Sequence, residues 1–188
     1  MKKRLGIDID GTVTRPETIL PYINEAFGLS LSLEDVTDYD LSLLVDIPAA
    51  EFAKWWLNIE PKVYENSPLA DEVKNVLFEW EKRHELYFIS ARSSHLLDVT
   101  EEWFKREGIP FHHIELTGSH DKIQMIKKHG LDLFMEDKHD NAVMIHENCQ
   151  IPVLLFNTPY NQSFVPKGVI RINNWLEAKT WVDEWSKN

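Results

Sequence analysis

Six short apolar runs punctuate the chain. The first, residues 5–9, stops at the Asp10-Gly11 turn signal; the others are residues 85–91, 111–117, 131–137, 151–157 and 168–173. Most are continuous rather than alternating, which is how strands read when helices cover both faces of a parallel sheet. Helical periodicity fills the gaps. Ser67-Pro68 predicts a helix start, with serine as N-cap and proline at the first position, followed by Leu69, Val73, Val76, Leu77 and Trp80 on one face. Leu96, Leu97, Thr100, Trp103 and Phe104 mark the next helix, and Gly108 suits its end. Ile123, Ile126 and Lys127 belong to a third, closed by Gly130; Asn174 caps a last one carrying Trp175, Ala178, Val182 and Trp185. Strand alternating with helix predicts an α/β domain with a mainly parallel sheet.

Residues 15–66 break the rhythm. No strand closes this stretch, and its pattern is helical, as at Phe52, Trp55, Trp56 and Ile59. It reads as a helical insertion over one edge of the sheet, near the strand ends where open α/β sheets bind ligands. The expected division is a core of residues 1–14 and 67–188 and a small cap of residues 15–66.

Composition narrows the partners. A chain of 188 residues buries roughly 70% of its unfolded surface and needs no staple. Lys plus Arg is 20 against 31 for Asp plus Glu, a net charge of −11, which argues against a nucleic-acid polymer as partner. A small phosphorylated molecule needs only a few local donors. Cys149 is the one cysteine, so no internal disulfide forms and a reducing compartment is expected. The basic start Met1-Lys2-Lys3-Arg4 leads into a run too short and too acidic for a signal peptide. No run approaches the ~18 apolar residues of a membrane span. The expectation is a cytoplasmic protein without a membrane partner.

Four polar clusters fall at the ends of predicted strands. Asp8-Ile9-Asp10-Gly11-Thr12 ends the first. A turn at Gly11 can bring Asp10 to the pocket of Asp8. Two close acids call for a cation or a shared proton, and Mg²⁺ takes such oxygen ligands together with a phosphate. Ser90-Ala91-Arg92 ends the second strand, where a hydroxyl and free amides entering a helix suit a phosphate; a plain helix cap is the other reading. Lys122 opens a helix, against the helix dipole, which makes sense if it faces an anion. Glu136-Asp137-Lys138-His139-Asp140 ends the fourth strand with further acids.

In order, these clusters resemble the motifs of the haloacid dehalogenase-like superfamily: Asp8-x-Asp10-Gly-Thr the first, Ser90 the second, Lys122 the third, Glu136-Asp137 the fourth. The resemblance covers residues 3–13 and 67–175. Size, the place of the insertion, Asp121-Lys122 and the segment Leu154 to Asn161 resemble the 5′(3′)-deoxyribonucleotidase-like branch. Glu136 stands where that branch often has aspartate, and Ser90-Ala91-Arg92 departs from its usual second motif. The resemblance implies a Rossmann-like parallel sheet flanked by helices, with a small helical cap after the first strand. It implies a Mg²⁺-dependent phosphomonoester hydrolase, a nucleotidase acting on a nucleoside monophosphate through an aspartyl-phosphate. Asp8 is then the nucleophile and Asp10 the acid and base. Ser90 and Lys122 bind the phosphoryl oxygens, joined by Gly11, Thr12, Ala91 and Arg92. Asp8, the Asp10 carbonyl and Asp137 hold the metal, with Glu136 and Asp140 behind them.

Two alternatives stay open: a phosphatase of a sugar phosphate or other small metabolite, and a non-catalytic phosphate- or metal-binding module. The oligomeric state is open too, a homodimer among the options. His112, His113 and His120 suggest no hard-metal site. Cys149 reads as a structural thiol. Trp55 and Trp56 suit either base stacking or packing of the cap, and Tyr160 and Asn161 share that ambiguity.

Overall fold

The computed structural model describes residues 2–119 and 121–187. Strands β1 (Arg4–Ile7), β2 (Glu85–Ser90), β3 (His113–Leu116), β4 (Leu133–Glu136), β5 (Val153–Phe156) and β6 (Val169–Ile172) form one sheet in the order β3-β2-β1-β4-β5-β6. Every pairing is parallel, with Ile7 beside Phe88 on one flank and Met135 on the other. Each predicted apolar run overlaps a strand.

The helices are α1 (Leu20–Phe27), α2 (Ala49–Glu65), α3 (Val73–Glu81), α4 (Leu97–Glu107), α5 (Ile123–His129), α6 (His139–Cys149) and α7 (Trp175–Trp185). Side chains alternate along each strand, and in β2, β4 and β5 both sets are buried. Leu5, Ile7, Phe88 and Met135 pack beneath α3, α4 and α7, against Trp80, Phe104 and Trp175. Tyr87, Ile89, Phe134 and Leu155 pack on the opposite face against Ile126 of α5 and Ile145 of α6. That double cover is why the strands are continuous apolar runs.

The expected caps at Gly108, Gly130 and Asn174 are present: both glycines close their helices in the left-handed conformation, and Asn174 accepts from the Glu177 amide. The helix start expected at Ser67-Pro68 is wrong. The Ser67 hydroxyl donates back to the Val63 carbonyl at 2.9 Å, finishing α2 rather than opening a helix. The chain then runs extended, with Leu69 bridging Thr14 and Pro68 accepting from the Arg15 amide. The helix starts only at Val73, after Glu72 with φ 63°.

Residues 15–66 hold α1, α2 and two 3₁₀ turns, Leu33–Asp35 and Leu41–Leu44. Leu20, Ile23, Val36 and Val45 form a small core there, sealed by Phe27, Phe52 and Trp55. Trp55 lies 5.0 Å from Phe27 and 5.3 Å from Phe52, so it packs the insertion together. The insertion stands over the C-terminal ends of β1, β2 and β4. There the strand order reverses, and open α/β sheets leave a crevice at that point.

Candidate active site

The loop after β1 is shaped by a single carbonyl. The Asp8 amide continues the ladder to the Met135 carbonyl at 2.9 Å, and then the amides of Thr12, Val13 and Thr14 all turn onto the Ile9 carbonyl. Gly11 has φ 73°, a conformation glycine adopts without a Cβ penalty. A Cβ there would also lie 2.2 Å from Asp137 Oδ2. The tight turn brings Asp10 back to the pocket of Asp8. Its carboxylate takes Arg92 Nε at 2.9 Å and Nη2 at 2.7 Å, and Ser90 Oγ stands 3.5 Å away.

Lys122 is 1% exposed and lies between two carboxylates, 2.7 Å from Asp8 Oδ1 and 2.8 Å from Glu136 Oε1. Glu136 is fully committed. Oε1 also accepts from Asn141 Nδ2, and Oε2 accepts from the amides of Asp137 and Lys138. Asp137 has one oxygen on the Tyr160 hydroxyl, while its buried Oδ1 has no hydrogen-bond partner among the described residues.

Electrostatics follow from burial. Asp8 is pushed up to about 7, chiefly by desolvation, against the pull of Lys122. Burial, then the charges of Glu136 and Asp8, hold Asp137 well above the usual carboxylate range. Burial acts to raise Glu136 as well, but Lys122 and the hydrogen bonds outweigh it and hold it low. Lys122 itself is raised, because the Asp8 and Glu136 charges outweigh its own desolvation.

Asp8, Glu136 and Asp137 present oxygens within 4.8 Å of one another, and Lys122 answers only one of the three charges. With Glu136 saturated, Asp8 and the orphaned oxygen of Asp137 fit a divalent cation: hard oxygen donors with residual negative charge. The acidic cluster has the donor set to hold a metal ion.

Above it lies a cavity of about 640 Å³, walled by Tyr39, Phe52, Trp56, Glu60 and Tyr64 of the insertion. Trp56, Glu60 and Tyr64 recur every four residues, so α2 turns one face to the cavity. Gly11, Ala91 and Arg92 line it from the core.

Of the expected site residues, Asp8, Asp10, Gly11, Ser90, Ala91, Arg92, Lys122, Glu136 and Asp137 converge. Arg92 lines the cavity with its guanidinium already committed: it grips Asp10, donates to Thr100 Oγ1 at 3.1 Å, and stacks 3.9 Å from the Tyr64 ring. The Gly11 amide donates to Thr14 Oγ1 at 3.1 Å. The Thr12 amide is held by the Ile9 carbonyl, and its own carbonyl accepts from Trp175 Nε1. Asp140 stands apart, its side chain 80% exposed and bonded to His139. The next residue along α6, Asn141, points inward instead and holds Glu136.

Sequence reasoning missed Asn141, Tyr39 and Tyr64. The four-residue spacing from Trp56 to Tyr64 carried a usable signal; Asn141 differs from Asp140 only by helix phase. Among the histidines set aside, His112 Nδ1 accepts from the Leu86 amide and His113 stacks on Tyr87; His120 lies outside the described residues. Cys149 ends α6 against the second core cluster, its thiol raised by burial.

Known proteins resemble this chain in sequence and in fold. The model of the family "5′ nucleotidase, deoxy (Pyrimidine), cytosolic type C protein" matches residues 2–184. A protein of Halalkalibacterium halodurans named "Putative nucleotidase" is 55% identical over 186 residues, 99% of this chain and 95% of that one. One of Bacillus subtilis with the same name is 49% identical, covering 96% and 93%. Among solved structures, a haloacid dehalogenase-like hydrolase of Streptococcus pneumoniae superposes with TM-score 0.69 at 16% identity, covering 96% and 98%. A HAD-hydrolase of Bacillus subtilis described as bound to magnesium superposes with TM-score 0.64 at 13% identity, covering 97% and 100%. No helix among the described residues is long and apolar enough to cross a membrane. The chain therefore belongs to the 5′ nucleotidase, deoxy (Pyrimidine), cytosolic type C family, phosphoric monoester hydrolases built on the haloacid dehalogenase-like fold.

Proposed function

We propose that this enzyme hydrolyses nucleoside monophosphates through an aspartyl-phosphate on Asp8, with Mg²⁺ held by Asp8, the Asp10 backbone carbonyl and Asp137. The observation that carries this reading is the buried pair Asp8 and Asp137 beside Lys122, with Asp137 and Asp10 lining a cavity walled by aromatic rings. The magnesium-bound structural neighbour supports the choice of metal. Bound there, the cation offsets the carboxylate charge and that of the phosphoryl oxygens.

Asp8 attacks phosphorus in line, a carboxylate nucleophile splitting one hard step into two. The ester P–O bond breaks, and Asp10 gives its proton to the leaving oxygen. Asp10 then takes a proton from the water that attacks the acyl phosphate, which releases inorganic phosphate and restores Asp8. Lys122 and Ser90 meet the charge on the phosphoryl oxygens. Glu136 keeps Lys122 charged and in place. Arg92 fixes the plane of the Asp10 carboxylate.

Residues 15–66 act as the cap that closes over the substrate. Trp56 lines the cavity with a ring suited to stack on a nucleobase, a contact worth roughly 1–3 kcal/mol, while the Tyr64 ring beside it carries the Arg92 guanidinium. A panel of ribo- and deoxynucleoside monophosphates and sugar phosphates, assayed for phosphate release with Mg²⁺ or EDTA, tests the reading. Release confined to nucleotides and abolished by EDTA is expected. Preferential release from a sugar phosphate would move the enzyme to another substrate class.

A further inference from the structure

Tyr160 belongs to the segment after β5, outside the chemical steps above, yet it touches the acidic cluster. It sits in a 3₁₀ turn, Pro159–Asn161, and its hydroxyl donates to Asp137 Oδ2 at 2.5 Å. The turn is anchored from behind. Asn161, fully buried, donates to the carbonyls of Asp137 at 2.6 Å and Phe156 at 2.7 Å. Its Oδ1 accepts from Arg171 Nη1 at 2.7 Å and from the Thr158 amide at 3.2 Å.

These bonds fix the Asp137 backbone and one of its carboxylate oxygens together. Gly11 completes the cradle, since a Cβ there would lie 2.2 Å from Asp137 Oδ2 and 3.1 Å from the Tyr160 hydroxyl. The other oxygen, Oδ1, is buried and has no hydrogen-bond partner among the described residues. The two oxygens of one carboxylate are thus assigned different tasks.

We infer that Tyr160 is a positioning residue that makes Asp137 a one-oxygen ligand, and so selects Mg²⁺ against Ca²⁺. The inference rests on the proposed placement of the cation on Asp137. Mg²⁺ demands near-ideal six-fold geometry and takes carboxylates through one oxygen, whereas Ca²⁺ accepts more ligands and both oxygens of a carboxylate. Tyrosine on Oδ2 withholds the second oxygen. Phenylalanine at 160 frees it, so the carboxylate can turn and offer both. Partners that orient a ligand from behind typically carry 10–100-fold in metal affinity.

The test is calorimetric titration of Mg²⁺ and of Ca²⁺ into the metal-free wild-type protein and Tyr160→Phe, with thermal unfolding in EDTA as a check on the fold. The expected result is a loss of about tenfold or more in Mg²⁺ affinity with Ca²⁺ affinity kept or raised, so that the Mg²⁺/Ca²⁺ ratio falls. Equal losses for both ions, or no change in either, overturn the selection role. Heat from neither ion in the wild type overturns the metal reading itself, a different outcome from an unchanged ratio. A crystal structure of the wild type with Mg²⁺ serves where the variant folds poorly. Coordination by Oδ1 alone, with Tyr160 still on Oδ2, supports the inference, and coordination by both oxygens refutes it.

Discussion

Replacing Lys122 with methionine keeps the length of the side chain and removes its charge. In the native protein that charge lies 2.7 Å from Asp8 and 2.8 Å from Glu136, all three groups being largely shut off from water. The variant leaves two facing carboxylates with no counter-charge. Breaking a buried ion pair from one side costs about 3–5 kcal/mol, because the remaining charge stays buried and unpaired. The carboxylates can escape only by taking up protons. In the variant both then titrate above their unfolded values, so the folded state binds protons that the unfolded state does not. The deficit relative to wild type must therefore grow as pH rises and shrink as pH falls. Urea unfolding of both proteins in EDTA, between pH 5 and pH 8, reads this directly. A deficit of about 3–5 kcal/mol at pH 8 that narrows by pH 5 is expected. A deficit below about 1 kcal/mol at every pH would refute the reasoning, since that is the range of exposed pairs. Turnover should fall about 10²–10³-fold in the same variant, the usual loss when a charge-stabilising donor is removed.

Trp56→Ala should raise KM for nucleoside monophosphates about tenfold, within the range of base stacking, and leave KM for acetyl phosphate unchanged; equal effects on both would place Trp56 outside substrate binding. Arg92→Lys keeps the charge but loses the two-pronged grip on Asp10. Its kcat should drop about a hundredfold on a nucleoside monophosphate and much less on p-nitrophenyl phosphate, whose leaving group needs no proton. Equal losses would detach Arg92 from the acid role. His84 is 4% exposed, and burial, with Arg83 next, holds its imidazole below the ordinary 6.5. Its contribution to stability is therefore complete above pH 6.5 and is lost as pH falls toward its folded value. NMR titration of the ring should give a pKa under 6.5, and His84→Phe should flatten that part of the acid limb; a normal ring pKa contradicts this.

The sheet was legible because burial on both faces writes each strand as an apolar run. The acids were legible because they end those runs, where parallel topology gathers strand tips, and Lys122 because it opens the helix that follows one. What escaped depends on tertiary contact. Ser67 has the chemistry of an N-cap, but its hydroxyl is spent closing the helix before it. Asp140 and Asn141 are adjacent polar residues, and only the phase of α6 decides that the second reaches Glu136. Arg92 is suited by type to a phosphate or a carboxylate; the fold of the loop through Gly11 puts Asp10 in its reach. Tyr160 meets Asp137 from 23 residues away, across a strand order that no local pattern records.

The central claim is that phosphate passes through the Asp8 carboxylate. Acid quenching during turnover of a good nucleotide substrate, followed by mass spectrometry of the peptides, tests it most directly. The expected result is phosphate on the peptide carrying Asp8, released by hydroxylamine, and neither adduct nor turnover in Asp8→Asn. Phosphate mapped to another residue, or full turnover in Asp8→Asn, would contradict it.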